Sequence, residues 1–135
     1  MTDSWRRALR IDVVTAFPGM FSAMAESIPG RAQAAKRLVL AMHNPRDETE
    51  DPHRTIDDAP YGGGGGMVLK AGPLFRTVER IKAAFGSGTV ILLSPQGEVL
   101  TQRLVEQLAE LGHWILVCGH YKGVDERVRD HLVDR

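Results

Sequence analysis

The chain has 135 residues, 43% of them hydrophobic and 25% charged, which is enough for one domain with its own core and ordinary for a globular protein. Lysine plus arginine equals aspartate plus glutamate, so overall charge supplies no argument for a nucleic-acid partner. No apolar run approaches the roughly 20 residues of a membrane span, the first ten residues hold no signal-like apolar stretch, and the single cysteine, Cys118, cannot form an internal disulfide. A reducing cytoplasm is the expected location.

In chain order, Met1–Leu9 reads as a polar, basic lead-in. Arg10–Phe17 (RIDVVTAF) is a predicted strand that Pro18-Gly19 ends. Met20–Ser27 has apolar residues at helical spacing and predicts a short helix. Pro29-Gly30 is read as a break, followed by a second short helix, Arg31–Arg37, and a strand, Leu38–His43. Strands alternating with helices predict an α/β domain with a mostly parallel sheet flanked by helices.

The stretch Asn44–Gly66 then shows no apolar periodicity. It carries Pro45, Pro52 and Pro60 and five successive glycines, Gly62–Gly66, so it reads as either a disordered segment or a functional loop. The glycine run is no P-loop, because Met67-Val68 stands where Lys-Ser or Lys-Thr would follow. Its composition alone is that of a linker. His53, Asp57 and Asp58 match no standard zinc spacing. A short strand around Met67–Leu69 precedes a helix over Pro73–Phe85, with Leu74, Val78 and Ile81 as its apolar face. Thr89–Leu93 is a predicted strand with a tight turn, Ser94–Gly97, at its carboxyl end. Thr101 is the predicted N-cap of a helix running to about Leu111, whose Leu104, Leu108 and Leu111 face the core.

Ile115–Val117 is a buried strand in the sequence, ending at Gly119 with Gly123 beyond. Asp125 then caps an expected last helix, Glu126–Val133. In open α/β sheets the ligand crevice lies outside the strand carboxyl ends. The Ser94–Gly97 and Gly119–Gly123 loops are therefore candidates for opposite walls of one pocket. Cys118 and His120, with Gly119 between them, are only a weak candidate for a nucleophile pair.

These stretches, in this order, resemble the bacterial tRNA (guanine-N1)-methyltransferase family of the SPOUT superfamily. The carrying segments are IDVVTAFPGMF (Ile11–Phe21), HRTIDDAPYGGGGGM (His53–Met67), LSPQG (Leu93–Gly97) and VCGHYKGVDERV (Val117–Val128). The resemblance implies that residues 10–135 are part of a SPOUT-type α/β methyltransferase domain of the trefoil-knot family, with the knot incomplete in this chain, and S-adenosyl-L-methionine as methyl donor. It also implies a homodimer and methylation of the guanosine 3′ to the anticodon of tRNA. By position, Leu93, Ser94, Pro95, Gln96 and Gly97 would line the donor pocket, with Gly119, Tyr121 and Gly123 opposite. Arg54, Asp58, Tyr61 and Gly62 would approach the guanine, which turns the glycine run from linker into substrate loop.

Two residues depart from the family pattern. Lys122 stands where an acid is usual, and Gly65 where a proline is common. The family's general base and its helical tRNA-binding domain belong to later segments, so the chain is expected to be an inactive N-terminal part of such an enzyme. The competing readings are a non-catalytic nucleotide- or partner-binding module, and a nucleotide-binding domain that uses the glycine run for phosphate.

Overall fold

The computed structural model describes residues 8–49, 56–58, 68–94, 97–119 and 134–135. Among these, four strands form one sheet: β1 (Leu9–Val14), β2 (Leu38–His43), β5 (Thr89–Leu93) and β6 (His113–Cys118), in the order β2-β1-β6-β5. Every pairing is parallel. Two-residue strands β3 (Asp57–Asp58) and β4 (Val68–Leu69) form a separate antiparallel pair. The helices are α1 (Ser27–Ala34), α2 (Ala71–Phe85) and α3 (Gln102–Ala109), with 3-10 turns at Pro18–Ala25 and Pro45–Glu48. No helix among the described residues is long and apolar enough to cross a membrane.

Strand alternation divides the sheet into two faces. Val14, Val90, Ile115 and Val117 point to one side and pack on α2, which presents Ala71, Leu74, Val78 and Ile81 at spacings of three and four residues. This is the expected apolar face of that helix. Pro73 sits within its first turn, where a missing N–H leaves no intrahelical bond unmade. Gly86, at φ 94°, ends it in a conformation that side chains other than glycine rarely adopt. The other face carries α1 and the first 3-10 turn over Leu40 and Met42, and α3 over Trp114 and Leu116.

Several boundaries differ from expectation, each for a local reason. β1 starts at Leu9 and stops at Val14 instead of running to Phe17, because the Thr15 hydroxyl accepts the Phe17 amide at 3.1 Å and turns the chain. The expected break at Pro29-Gly30 lies inside α1. Pro29 is the third helical residue, where its amide would have no partner in the helix anyway. Gly30 is there for space, since a Cβ would stand 2.2 Å from the Ala25 carbonyl oxygen. The short helix expected at Met20–Ser27 is present, shifted to Pro18–Ala25 and of the 3-10 type. Thr101 caps α3 as expected, its hydroxyl accepting the Leu104 amide at 3.1 Å. The helix ends at Ala109, so Leu111 falls in the following turn and is 42% exposed rather than buried. The Leu108 carbonyl accepts both the Leu111 amide at 3.0 Å and Trp114 Nε1 at 2.7 Å.

The aperiodic stretch is not structureless throughout. Asn44 caps the Pro45–Glu48 turn by accepting the Arg46 amide. Ile56 is 2% exposed and belongs to the main core, held there by its carbonyl, which accepts from Lys70 N. One isolated isoleucine has no period, which is why pattern reading passes over it. The expected last helix, Glu126–Val133, lies outside the described residues.

At the sheet's centre is a group that apolar patterning does not anticipate. Asp12 has no solvent exposure. Its Oδ2 accepts from Arg10 Nε (2.9 Å) and His113 Nε2 (2.7 Å), its Oδ1 from Arg10 Nη2 (2.9 Å) and His43 Nε2 (2.7 Å). Burial alone pushes the carboxyl up, but hydrogen bonds from Arg10, His43 and His113 outweigh it and hold it below the ordinary value of 3.8. A carboxylate with a depressed folded-state pKa adds stability above its unfolded value, and that stability is lost as pH falls through the folded value. Asp12→Asn leaves four donors from three side chains facing an amide and is expected to cost about 3–5 kcal/mol in urea unfolding at neutral pH. The variant should also lose less stability than the parent on acidification below the ordinary carboxylate value.

Candidate functional site

The sheet order sets where a crevice can open. The chain leaves β1 for β2 on one side, and its last described strand, β6, returns to the other side of β1. The order therefore reverses at β1, and a crevice is expected beyond the carboxyl ends of the strands flanking that point. β5 and β6 pair with Leu93 opposite Cys118. Ser94 and Gly119 thus leave adjacent strand ends, although the two residues line different cavities.

Two cavities lie in this region. The larger, of about 730 Å³, opens beside β5 and α3. Its wall is mostly apolar and includes Leu93, Leu100, Leu104, Val105, Trp114 and Leu116, with Ser94, Gly97, Glu98 and Arg135 also on the lining. Leu93 is 54% and Leu100 67% exposed, so apolar surface is open to whatever enters. The Gly97 amide donates to the Ser94 carbonyl at 3.2 Å, which closes the predicted tight turn. Arg135 forms the cavity's other border by pairing with β5: its amide donates to the Val90 carbonyl and its carbonyl accepts the Leu92 amide.

The smaller cavity, of about 240 Å³, lies between the ends of β1 and β6 and is lined by Thr15–Phe17, Met20, Phe21, Cys118 and Gly119. The structure thus brings Leu93, Ser94 and Gly97 to the large cavity and Gly119 to its neighbour. Pro95, Gln96, Tyr121 and Gly123 lie outside the described residues, as do Arg54, Tyr61 and Gly62. Asp58 is placed by its backbone, which pairs with Val68 in the β3–β4 hairpin.

The polar cluster Asp12, His43 and His113 was not among the sequence candidates. Its signal was present as single polar residues in three apolar strands, LRIDVV, LVLAMH and HWILVC. What sequence could not supply was their convergence, which depends on the register Arg10 to His113 and Val14 to His43.

These features define an open α/β domain with a ligand crevice at the carboxyl edge of a parallel sheet. The family model described as tRNA (Guanine-1)-methyltransferase TrmD matches residues 9–135. The tRNA (guanine-N(1)-)-methyltransferase of Chloroflexus aurantiacus is 52% identical over 129 residues, covering 94% of this chain and 51% of that protein. The protein of the same name from Geobacillus kaustophilus is 47% identical over 125 residues, covering 92% and 51%. In structure, the tRNA (m1G37) methyltransferase of Aquifex aeolicus superposes with a TM-score of 0.86 at 34% identity, over 96% of this chain and 58% of that one. The chain belongs to the TrmD family of tRNA (guanine-1)-methyltransferases, and it spans about half the length of the curated relatives it matches.

Cys118, half-buried in the wall of the smaller cavity, has its thiol pushed up from the ordinary 9.0 by burial. Less thiolate then exists at any given pH. Iodoacetamide should alkylate Cys118 more slowly than free cysteine at neutral pH, with the rate still rising above the pH at which free cysteine levels off.

Proposed function

We propose that this chain carries the methyl-donor side of an S-adenosyl-L-methionine-dependent tRNA (guanine-N1)-methyltransferase acting on the guanosine 3′ to the anticodon. The observation that carries this reading is the large apolar cavity built on the Ser94–Gly97 turn, the LSPQG segment of a TrmD-family chain. Its apolar wall suits the faces of the donor's adenine ring, while the ribose, sulfonium and amino-acid groups of that molecule call for polar partners.

On this reading Leu93, Ser94, Pro95, Gln96 and Gly97 form one wall, and Gly119, Tyr121 and Gly123 the opposing one. Arg54, Asp58, Tyr61 and Gly62 approach the target guanine. A trefoil-knot fold of which this chain holds only part, the homodimer and a cytoplasmic location belong to the same proposal.

The donor, when bound, supplies an activated methyl group on a sulfonium. The chain's own contribution is then alignment and exclusion of water. Leu100, Leu104 and Val105 give the apolar wall that holds the donor. The turn at Ser94–Gly97 fixes its orientation, a positioning effect that supplies much of the rate in a transfer of this kind. Guanine N1 bears a proton at neutral pH, so a general base must take it as the methyl arrives. No residue of this chain is assigned that role.

Calorimetric titration of the 135-residue chain with S-adenosyl-L-methionine, with ATP as control, tests the reading. Binding of S-adenosyl-L-methionine and not ATP is expected. ATP binding without the methyl donor would overturn it in favour of a phosphate-binding domain. Leu100→Arg places a cation in the wall of the cavity proposed for a cationic donor, on a largely exposed position, and should weaken donor binding by at least about tenfold, or roughly 1.4 kcal/mol, with little change in urea midpoint.

A further inference from the structure

The wall of the large cavity is mostly apolar, yet its rim is charged. Among the described residues that line it, Glu98 and Arg135 alone carry a charge, and the two charges are opposite. Ser94 adds a hydroxyl. Trp114 adds an N–H, but that group is already given to the Leu108 carbonyl at 2.7 Å.

Backbone pairing sets the direction of Arg135. The Val90 carbonyl accepts its amide at 3.0 Å, and its own carbonyl accepts the Leu92 amide at 2.9 Å. Two bonds that bracket one residue in this way are the pattern of a parallel pair, with Ile91 opposite Arg135. Opposed residues send their side chains to the same face of a sheet. Ile91 and Leu93 line the cavity, so the guanidinium leaves the backbone on the cavity side. Asp134, one residue earlier, is engaged with the strand itself: its Oδ2 accepts the Val90 amide at 2.8 Å.

Glu98 reaches the same cavity from the carboxyl end of β5. The Gly97 amide closes the turn on the Ser94 carbonyl, and Glu98 follows as the first residue of the link to the Thr101 cap. Glu98 and Arg135 are both exposed, so each charge keeps its water and costs the fold little. Among the described residues the two form no salt bridge with each other. The cavity therefore offers one anion and one cation beside an apolar wall.

We propose that Glu98 and Arg135 form a subsite for a zwitterionic α-amino-acid group, Arg135 taking its carboxylate and Glu98 its ammonium. A guanidinium presents parallel N–H donors that match the two oxygens of a carboxylate, and an ammonium, which can only donate, needs an acceptor such as the Glu98 carboxylate. The reverse orientation sets like charges against each other. The subsite rests on the donor reading of this cavity and adds the polar partners that its apolar wall lacks. It makes the amino-acid end of the donor, and not the nucleoside alone, what the chain selects.

Calorimetric titration of the whole chain compares S-adenosylhomocysteine with 5′-methylthioadenosine, which has the same adenosine and a neutral sulfur but no amino-acid group. S-adenosylhomocysteine is expected to bind roughly tenfold more tightly at low salt, the effect of charge-assisted contacts that only it can make. Because both side chains are exposed, the gap should narrow as salt is raised. Arg135→Gln and Glu98→Gln should each remove most of the gap, leave 5′-methylthioadenosine binding unchanged and keep the parent's urea midpoint. Decarboxylated S-adenosylhomocysteine, which retains the ammonium, should respond to Glu98→Gln and not to Arg135→Gln. Equal binding of S-adenosylhomocysteine and 5′-methylthioadenosine, or variants that weaken both alike, overturns the subsite and leaves the donor cavity standing. Binding of neither ligand overturns the donor reading and the subsite with it.

Discussion

The sheet depends on a buried carboxylate. Asp12 lies on β1, which pairs with β2 and β6, and each neighbour sends it one histidine. Arg10 supplies the remaining two donors and lies with its guanidinium carbon 3.6 Å from the centre of the Phe85 ring at the end of α2. With four donors on four acceptor sites, the ion has no unmet hydrogen bond. Its worth is better seen as specificity than as net stability. An apolar residue of similar volume often does as well or better in such a place. A polar group with only one satisfying arrangement, however, penalises any other pairing of the three strands, since a one-residue slip would turn the histidines to the opposite face.

That register, once set, determines the site. With β6 fixed between β1 and β5, Leu93 faces Cys118 and the two strand-end loops leave side by side. The crevice is thus a consequence of pairing order, not of any one catalytic side chain. Its walls remain apolar and open because α3 covers only part of that face: Leu108 is buried, while Leu93, Leu100 and Val105 retain exposed surface. On the opposite face the packing is complete, with Leu74, Val78 and Ile81 of α2 all at 1% exposure or less. A closed core on one side and an unfilled apolar wall on the other is how a small α/β domain combines rigidity with a binding surface.

Close approach accounts for features that pattern alone misreads. Gly30 has the mark of a helix breaker, yet it sits within α1 because the preceding 3-10 turn brings the Ala25 carbonyl where a Cβ would go. Gly88 looks like a simple turn residue, but a Cβ there would stand 2.8 Å from His113 Nδ1. It leaves room for the ring that reaches Asp12. Both glycines serve contacts between residues that are neighbours only in the folded chain.

Local sequence determined a good deal of this protein. Strands Leu38–His43 and Thr89–Leu93, the Thr101 cap, the Leu74–Val78–Ile81 stripe and the Ser94–Gly97 turn follow from periodicity, capping chemistry and turn residues, all of which act within a few positions. The α/β class follows from their alternation, and the family from four segments whose residues could be read directly. Tertiary structure decided what needs distant partners. Burial of Ile56, the fourfold ligation of Asp12, and the separation of the Gly97 and Gly119 cavities all arise from strand order and register. Those are set by the sum of long-range packing, and no window of neighbouring residues contains them.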